Sequence, residues 1–152
     1  MKKQGFTLIE LLIVVAIVGI VAAIALPNLL VAIQKSRQKA SMADMSSIAK
    51  AIESYRIDHG IVPNVPGTVA NLENEWFIPF YIKKIPPIDS WGTVFIYQTD
   101  LELYTLISYG RDQVPGPEPS EPFYNVTNIE HFNFDLVLSG GTFTQGPKTL
   151  MR

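Results

Sequence analysis

Apolar and polar positions fall into two regimes along the chain. From Phe6 to Leu26 the clearly polar side chains are Thr7 and Glu10. About 20 residues of α-helix cover roughly 30 Å, the hydrocarbon thickness of a bilayer, so this block predicts a spanning helix. The helical pattern runs on through Leu29, Leu30 and Ile33. Between Ala32 and Tyr55 there is neither Gly nor Pro, and Met45, Ile48, Ile52 and Tyr55 recur at helical spacing as one apolar stripe. The helix is expected to stop near His59-Gly60, with Pro63 beyond it.

Beyond that point the periodicity shortens. Thr93 to Gln98 and Leu101 to Tyr109 are rich in β-branched and aromatic residues, and Thr99-Asp100 separates them as a hairpin turn. Phe132, Phe134, Leu136 and Leu138 alternate as one face of a further strand over 132–138. Residues 63–87 read as an irregular connection with a short helix near Val69 to Trp76, and the four prolines between Val114 and Pro122 predict a loop. The tail from Gly140 is expected to be an edge strand or disordered. The fold class is α+β: one long N-terminal helix packed on a small antiparallel β-sheet. Four segments follow: a leader over 1–5, a membrane half of the helix over 6–30, a stem over 31–60 and a globular part over 61–152.

Charge refines this picture at two places. Lys2 and Lys3 precede the apolar block, which places that end on the cytoplasmic side and the remainder across the membrane. Lys35, Arg37, Gln38 and Lys39 form a basic, polar collar just past it, a solvated face at headgroup level. The formal net charge is −2, so no general electrostatic case for nucleic acid exists. With no cysteine, disulfides, thiolate zinc sites and cysteine catalysis are excluded.

An ordinary secretory signal peptide is a poor fit. Its apolar core runs to about 7–15 residues and ends in a small-residue cleavage site, whereas this block is longer, continues as helix and contains Glu10. A carboxylate in hydrocarbon is costly unless paired or protonated. A cut between Gly5 and Phe6 would create an α-amino cation at nearly the same depth. A neighbouring subunit's Glu10 could pair with it, relieving two burial costs together. The alternative is a carboxylate snorkelling at the membrane edge.

Gly5-Phe6-Thr7-Leu8-Ile9-Glu10, followed by the apolar run and Pro27, resembles the class III signal of type IV pilins and type II secretion pseudopilins. The resemblance implies cleavage by a prepilin peptidase after Gly5, N-methylation of Phe6 and a subunit-registering role for Glu10. It also implies that the stretch between Gly19 and Pro27 can melt in a filament; a continuous helix with a mild kink is the alternative. A second segment, Tyr81-Ile82-Lys83-Lys84-Ile85-Pro86-Pro87-Ile88-Asp89-Ser90-Trp91-Gly92, is similar to a stretch of the major, G-type pseudopilins. There it leads into a strand like Tyr104 to Ser108 here, followed by Gly110 and Asp112.

In that family the following loop binds calcium. The resemblance implies the Tyr109 carbonyl and Asp112 as ligands, with Asn128 at the distal motif; Asn125 and Glu130 are other oxygens within reach by sequence. Asn128 stands where the family has an aspartate, which weakens a site that wants six to eight hard oxygens. A loop held by packing and hydrogen bonds is the competing expectation. Other chemistry lacks a pattern: His59 and His131 have no paired-ligand spacing, Ser108 sits in no nucleophile motif, and no glycine-rich phosphate loop occurs. The Asn125-Val126-Thr127 sequon is short enough to arise by chance.

The resemblance therefore implies a structural protein rather than an enzyme. The expected role is the major pseudopilin of a type II secretion system. Its partners would be copies of itself, minor pseudopilins or pilins, the peptidase, an inner-membrane assembly platform and the lipid bilayer, with no nucleic acid. A type IV pilus subunit for adhesion, motility or DNA uptake is the second reading, and a membrane-anchored periplasmic enzyme or binding module the third.

Overall fold

The computed structural model describes residues 6–148, so the leader with Gly5, and the last four residues, lie outside it. A single helix, α1, runs Leu8–His59. The chain divides between Ile33 and Gln34 into two units. In the first, α1 is apolar and exposed, and it is long and apolar enough to cross a membrane by length and composition. Pro27 lies inside the helix without ending it. At the far end Gly60 adopts φ +77°, and its N–H donates to the Arg56 carbonyl at 2.8 Å. That is the left-handed stop predicted at His59-Gly60.

In the second unit, the stem of α1 is amphipathic. Gln38, Ser41, Met42, Met45, Ile48, Ala49 and Ile52 are buried at spacings of three and four. Met45, Ile48 and Ile52 are wholly inaccessible, and each contributes roughly 1.5–3 kcal/mol of apolar burial. Tyr55, expected to extend the stripe, is half-buried and stacks on His59.

The sheet that covers this face is built from β1 (Gly67–Thr68), β2 (Ile96–Thr99), β3 (Tyr104–Ser108), β4 (Phe123–Tyr124), β5 (Leu136–Ser139) and β6 (Thr142–Pro147). Its order is β1-β2-β3-β5-β6-β4. All pairings are antiparallel except β4 with β6. Tyr104, Leu106, Leu136 and Leu138 point inward, and the Tyr104 hydroxyl donates to the Ala49 carbonyl of the stem at 3.3 Å. The α+β architecture is the expected one.

Several boundaries differ from the sequence reading. The hairpin between β2 and β3 is longer than Thr99-Asp100, because the Asp100 carboxylate accepts the N–H groups of Glu102 and Leu103 while Leu101 takes φ +80°. The strand expected over 132–138 is two elements, a 3₁₀ turn Ile129–Asn133 and then β5. Phe132 is buried from the turn, so its alternation with Phe134 was coincidental. The helix near Val69 is a single 3₁₀ turn, Val69–Leu72. The described part of the tail is neither disordered nor an edge, since β6 lies between β5 and β4.

Candidate functional site

The N-terminal motif forms a defined local structure. Thr7 precedes α1, and its backbone N–H and its hydroxyl both donate to Glu10 Oε2, at 2.9 and 2.6 Å. The Glu10 N–H lies 3.3 Å from Thr7 Oγ1. This reciprocal arrangement is a capping box, which satisfies helix donors that have no partner of their own. The signature, Thr followed three residues later by Glu, was present in the sequence and was overlooked beside the more conspicuous charge. Phe6 is exposed. Nothing lies within 4 Å of a Cβ placed on Gly19, and Pro27 leaves the Ala23 carbonyl without its helix partner. Asn28 Nδ2 donates to the Ile24 carbonyl at 3.1 Å in the same turn.

The Tyr81 to Gly92 segment is anchored to the stem. Asp89 is 4% exposed, and its Oδ1 accepts the N–H groups of Trp91 and Thr93, both at 2.9 Å. Its Oδ2 accepts the Ser108 hydroxyl of β3 at 2.7 Å. An aspartate that binds its own backbone two residues on makes an Asx turn, and Gly92 supplies the φ of +94° that follows. The turn presents Trp91, whose indole N–H donates to Gln34 Oε1 at 2.7 Å, while the Ser90 N–H donates to Ser41 Oγ at 2.9 Å. Trp91 is thus an anchor between turn and stem, and Ser108 serves the turn rather than chemistry. Gln34, Ser41 and Asp89 were not singled out by sequence, because their roles depend on pairings 19 to 57 residues apart.

The loop after β3 closes against the 3₁₀ turn. Gly110, at φ +71°, lets the backbones meet: a Cβ there would lie 2.6 Å from the Phe132 carbonyl oxygen. The Arg111 N–H donates to that carbonyl at 2.7 Å, and its Nε donates to Asn133 Oδ1 at 2.9 Å. Gln113 Nε2 donates to the Trp91 carbonyl at 2.6 Å, and the Gly116 N–H donates to Asp135 Oδ2 at 3.0 Å.

Three of the residues expected to ligate calcium make local hydrogen bonds. Asn128 Oδ1 accepts the N–H groups of Glu130 and His131 and so caps the 3₁₀ turn. The Asn125 carbonyl lies 2.8 Å from His131 Nδ1, and Asp112 Oδ1 faces the Val114 N–H at 3.4 Å. Among the described residues no three of His, Cys, Asp or Glu gather as a metal-binding group.

In the first turns of the stem Gln38 is buried, and its Nε2 donates to the Tyr124 hydroxyl at 3.2 Å. Burial pushes the Tyr124 phenol up to about 12, against the smaller lowering pull of that bond, so it stays neutral.

An exposed apolar helix that opens on a capped acid and continues into a stem covered by an antiparallel sheet is the arrangement of a pilin-like subunit. A family model described as Type II secretion system (T2SS), protein G matches residues 28–126, and the prokaryotic N-terminal methylation motif matches residues 1–26. The chain is 30% identical to the Type II secretion system core protein G of Escherichia coli strain K12 over 77% of this chain and 88% of that one. The protein of the same name from Vibrio cholerae is 30% identical over 86% of this chain and 96% of its own. The type IV wide pilus major component of Thermus thermophilus is 46% identical, over 38% of this chain and 44% of its own. No solved structure matches significantly. The chain belongs to the type II secretion system protein G family, a family of structural subunits.

Proposed function

We propose that this chain is the major pseudopilin of a type II secretion system, trimmed between Gly5 and Phe6, methylated on Phe6 and polymerised through α1. The observation that carries this reading is the run of exposed apolar residues from Leu8 to Ile33 with one acid, Glu10, near its start. Such a surface needs a cover, either lipid or the same helix of neighbouring subunits. In the isolated subunit Thr7 satisfies Glu10; in the filament a neighbour's Phe6 amine takes over as its partner. Before assembly the subunit sits in the inner membrane with its C-terminal part in the periplasm, the side opposite Lys2 and Lys3. Its partners are copies of itself, minor pseudopilins, the prepilin peptidase and an inner-membrane platform. The interval from Gly19 to Pro27 is where the helix would extend in the polymer. Hydrogen bonds of Arg111, Gln113 and Gly116 hold the loop after β3.

Two substitutions test the pairing and separate it from capping. Glutamine serves in a capping box as glutamate does, but carries no charge. Glu10→Gln and Glu10→Ala are both expected to leave the chain membrane-inserted and to reduce sheared filament to a small fraction of the parent yield. Normal filament from Glu10→Gln would show that the acid is only a cap.

The match to the Thermus thermophilus pilus component favours a second reading, a type IV pilus subunit. Deleting the gene distinguishes them: loss of exported protein with surface pili intact supports the secretion role, and the reverse supports the pilus.

A further inference from the structure

Beyond assembly, the stem carries a small pocket, lined by both apolar and polar side chains, that the filament reading leaves unused. Lys35, Gln38 and Lys39 line one wall from α1, and Asn125 with Val126 lines the other, after β4. Met42 and Pro147, both buried, form an apolar floor under a cavity of about 280 Å³. That is slightly below the range of pockets that enclose a whole organic ligand, roughly 300–1,000 Å³.

Three properties define what would enter. The lining holds two cations and two amides and no carboxylate. Lys35 and Lys39 stand one helical turn apart on one face, and both line the pocket. Among the described residues neither lysine, nor Arg37 between them, has an acid within ion-pair distance. These cations also follow Ile33, the last large apolar residue of the exposed run, by two to six residues on the same helix. If lipid covers the run up to Ile33, cations this soon after it in sequence fall at headgroup level.

We infer that this pocket is a binding site for the phosphate of an anionic phospholipid headgroup in the outer leaflet of the subunit's own membrane. Lys35 and Lys39 hold the phosphate as point charges, Asn125 offers its amide, and the Met42–Pro147 floor takes the glycerol carbons. The pocket meets a headgroup only if α1 spans a bilayer as proposed above. A bound headgroup would fix the height and rotation of the unassembled subunit. Its release would accompany extraction into the filament.

The test uses the full chain, extracted in mild detergent with equal amounts of phosphatidylglycerol and phosphatidylcholine and read by native mass spectrometry. Retention of phosphatidylglycerol over phosphatidylcholine is expected, falling about fivefold for each of Lys35→Gln and Lys39→Gln. Lys50→Gln, on the same stem but outside the pocket, keeps the preference. Equal retention of both lipids by the parent overturns the site, as does a Lys50→Gln variant that loses as much as the pocket variants. Displacement of the lipid by millimolar inorganic phosphate with no return on dilution into fresh phosphatidylglycerol marks a free-anion site and overturns the lipid assignment. Retention in membranes after alkaline carbonate extraction reports the spanning helix separately, so its failure is distinguishable from that of the pocket.

Discussion

Replacing Asp89 by alanine removes the acceptor on which the Trp91 turn is built. Its carboxylate, 4% exposed, receives Trp91 N–H, Thr93 N–H and the Ser108 hydroxyl. A hydrogen bond to a charged group contributes about 1.5–3 kcal/mol, and a buried donor left unpaired costs about 1–3 kcal/mol. The three bonds share one acceptor and are not additive, so the loss amounts to about 3–5 kcal/mol rather than their sum. For a chain of this size that lowers Tm by roughly 10 °C. Asp89→Asn is the finer probe. Its carbonyl can keep the two N–H bonds, and the Ser108 hydroxyl can turn to accept from the new amide, so about 1–2 kcal/mol of charge assistance is lost. Thermal unfolding of the full chain in detergent, followed by near-ultraviolet circular dichroism, measures both. The order parent, asparagine, alanine is expected. An alanine variant melting within about 2 °C of the parent would refute the anchoring role.

Three further outcomes are expected. Gly110→Ala forces a Cβ to 2.6 Å from the Phe132 carbonyl oxygen at φ +71°, so it should lower stability by about 2–4 kcal/mol in the same melt, more than an ordinary surface substitution. Asn128→Ala removes the cap of the 3₁₀ turn and should lower stability by about 1 kcal/mol whether calcium or a chelator is present; a parent melt that drops on chelation would restore the metal. Burial raises Asp135 above its ordinary 3.8, against the lowering effect of the Gly116 N–H and with added repulsion from Asp112 and Glu118; its Oδ1 is buried with no hydrogen-bond partner among the described residues. The folded state thus holds this proton more tightly, so the contribution is complete below pH 3.8 and is lost as pH rises through the folded-state value. Asp135→Asn should therefore melt higher than the parent near neutral pH, the gap narrowing as pH falls toward 3.8.

The elements legible from sequence were those written in local periodicity. Met45, Ile48 and Ile52 announced the buried stem face, and Gly60 its end, because helical order depends on neighbours three and four residues away. The Thr7–Glu10 capping box was equally local. What sequence did not disclose depends on distant partners. Phe132 and Phe134 alternate like strand residues, yet Asn128 caps a 3₁₀ turn there and Gly110 admits its backbone against the end of β3. Likewise the resemblance placed Asn128 and Asp112 among calcium ligands, and the hydrogen bonds each side chain makes became visible only in the fold. The Tyr81 to Gly92 resemblance located the important turn, but not that Asp89 builds it or that Gln34 and Ser41 receive it.

The central claim, a subunit processed before the apolar helix and assembled through it, is tested most directly by mass spectrometry of the N-terminal peptide of the chain recovered from sheared filaments. A peptide beginning at Phe6 with a methylated α-amine is expected. A filament chain that begins at Met1, or that has lost the apolar helix altogether, would contradict it.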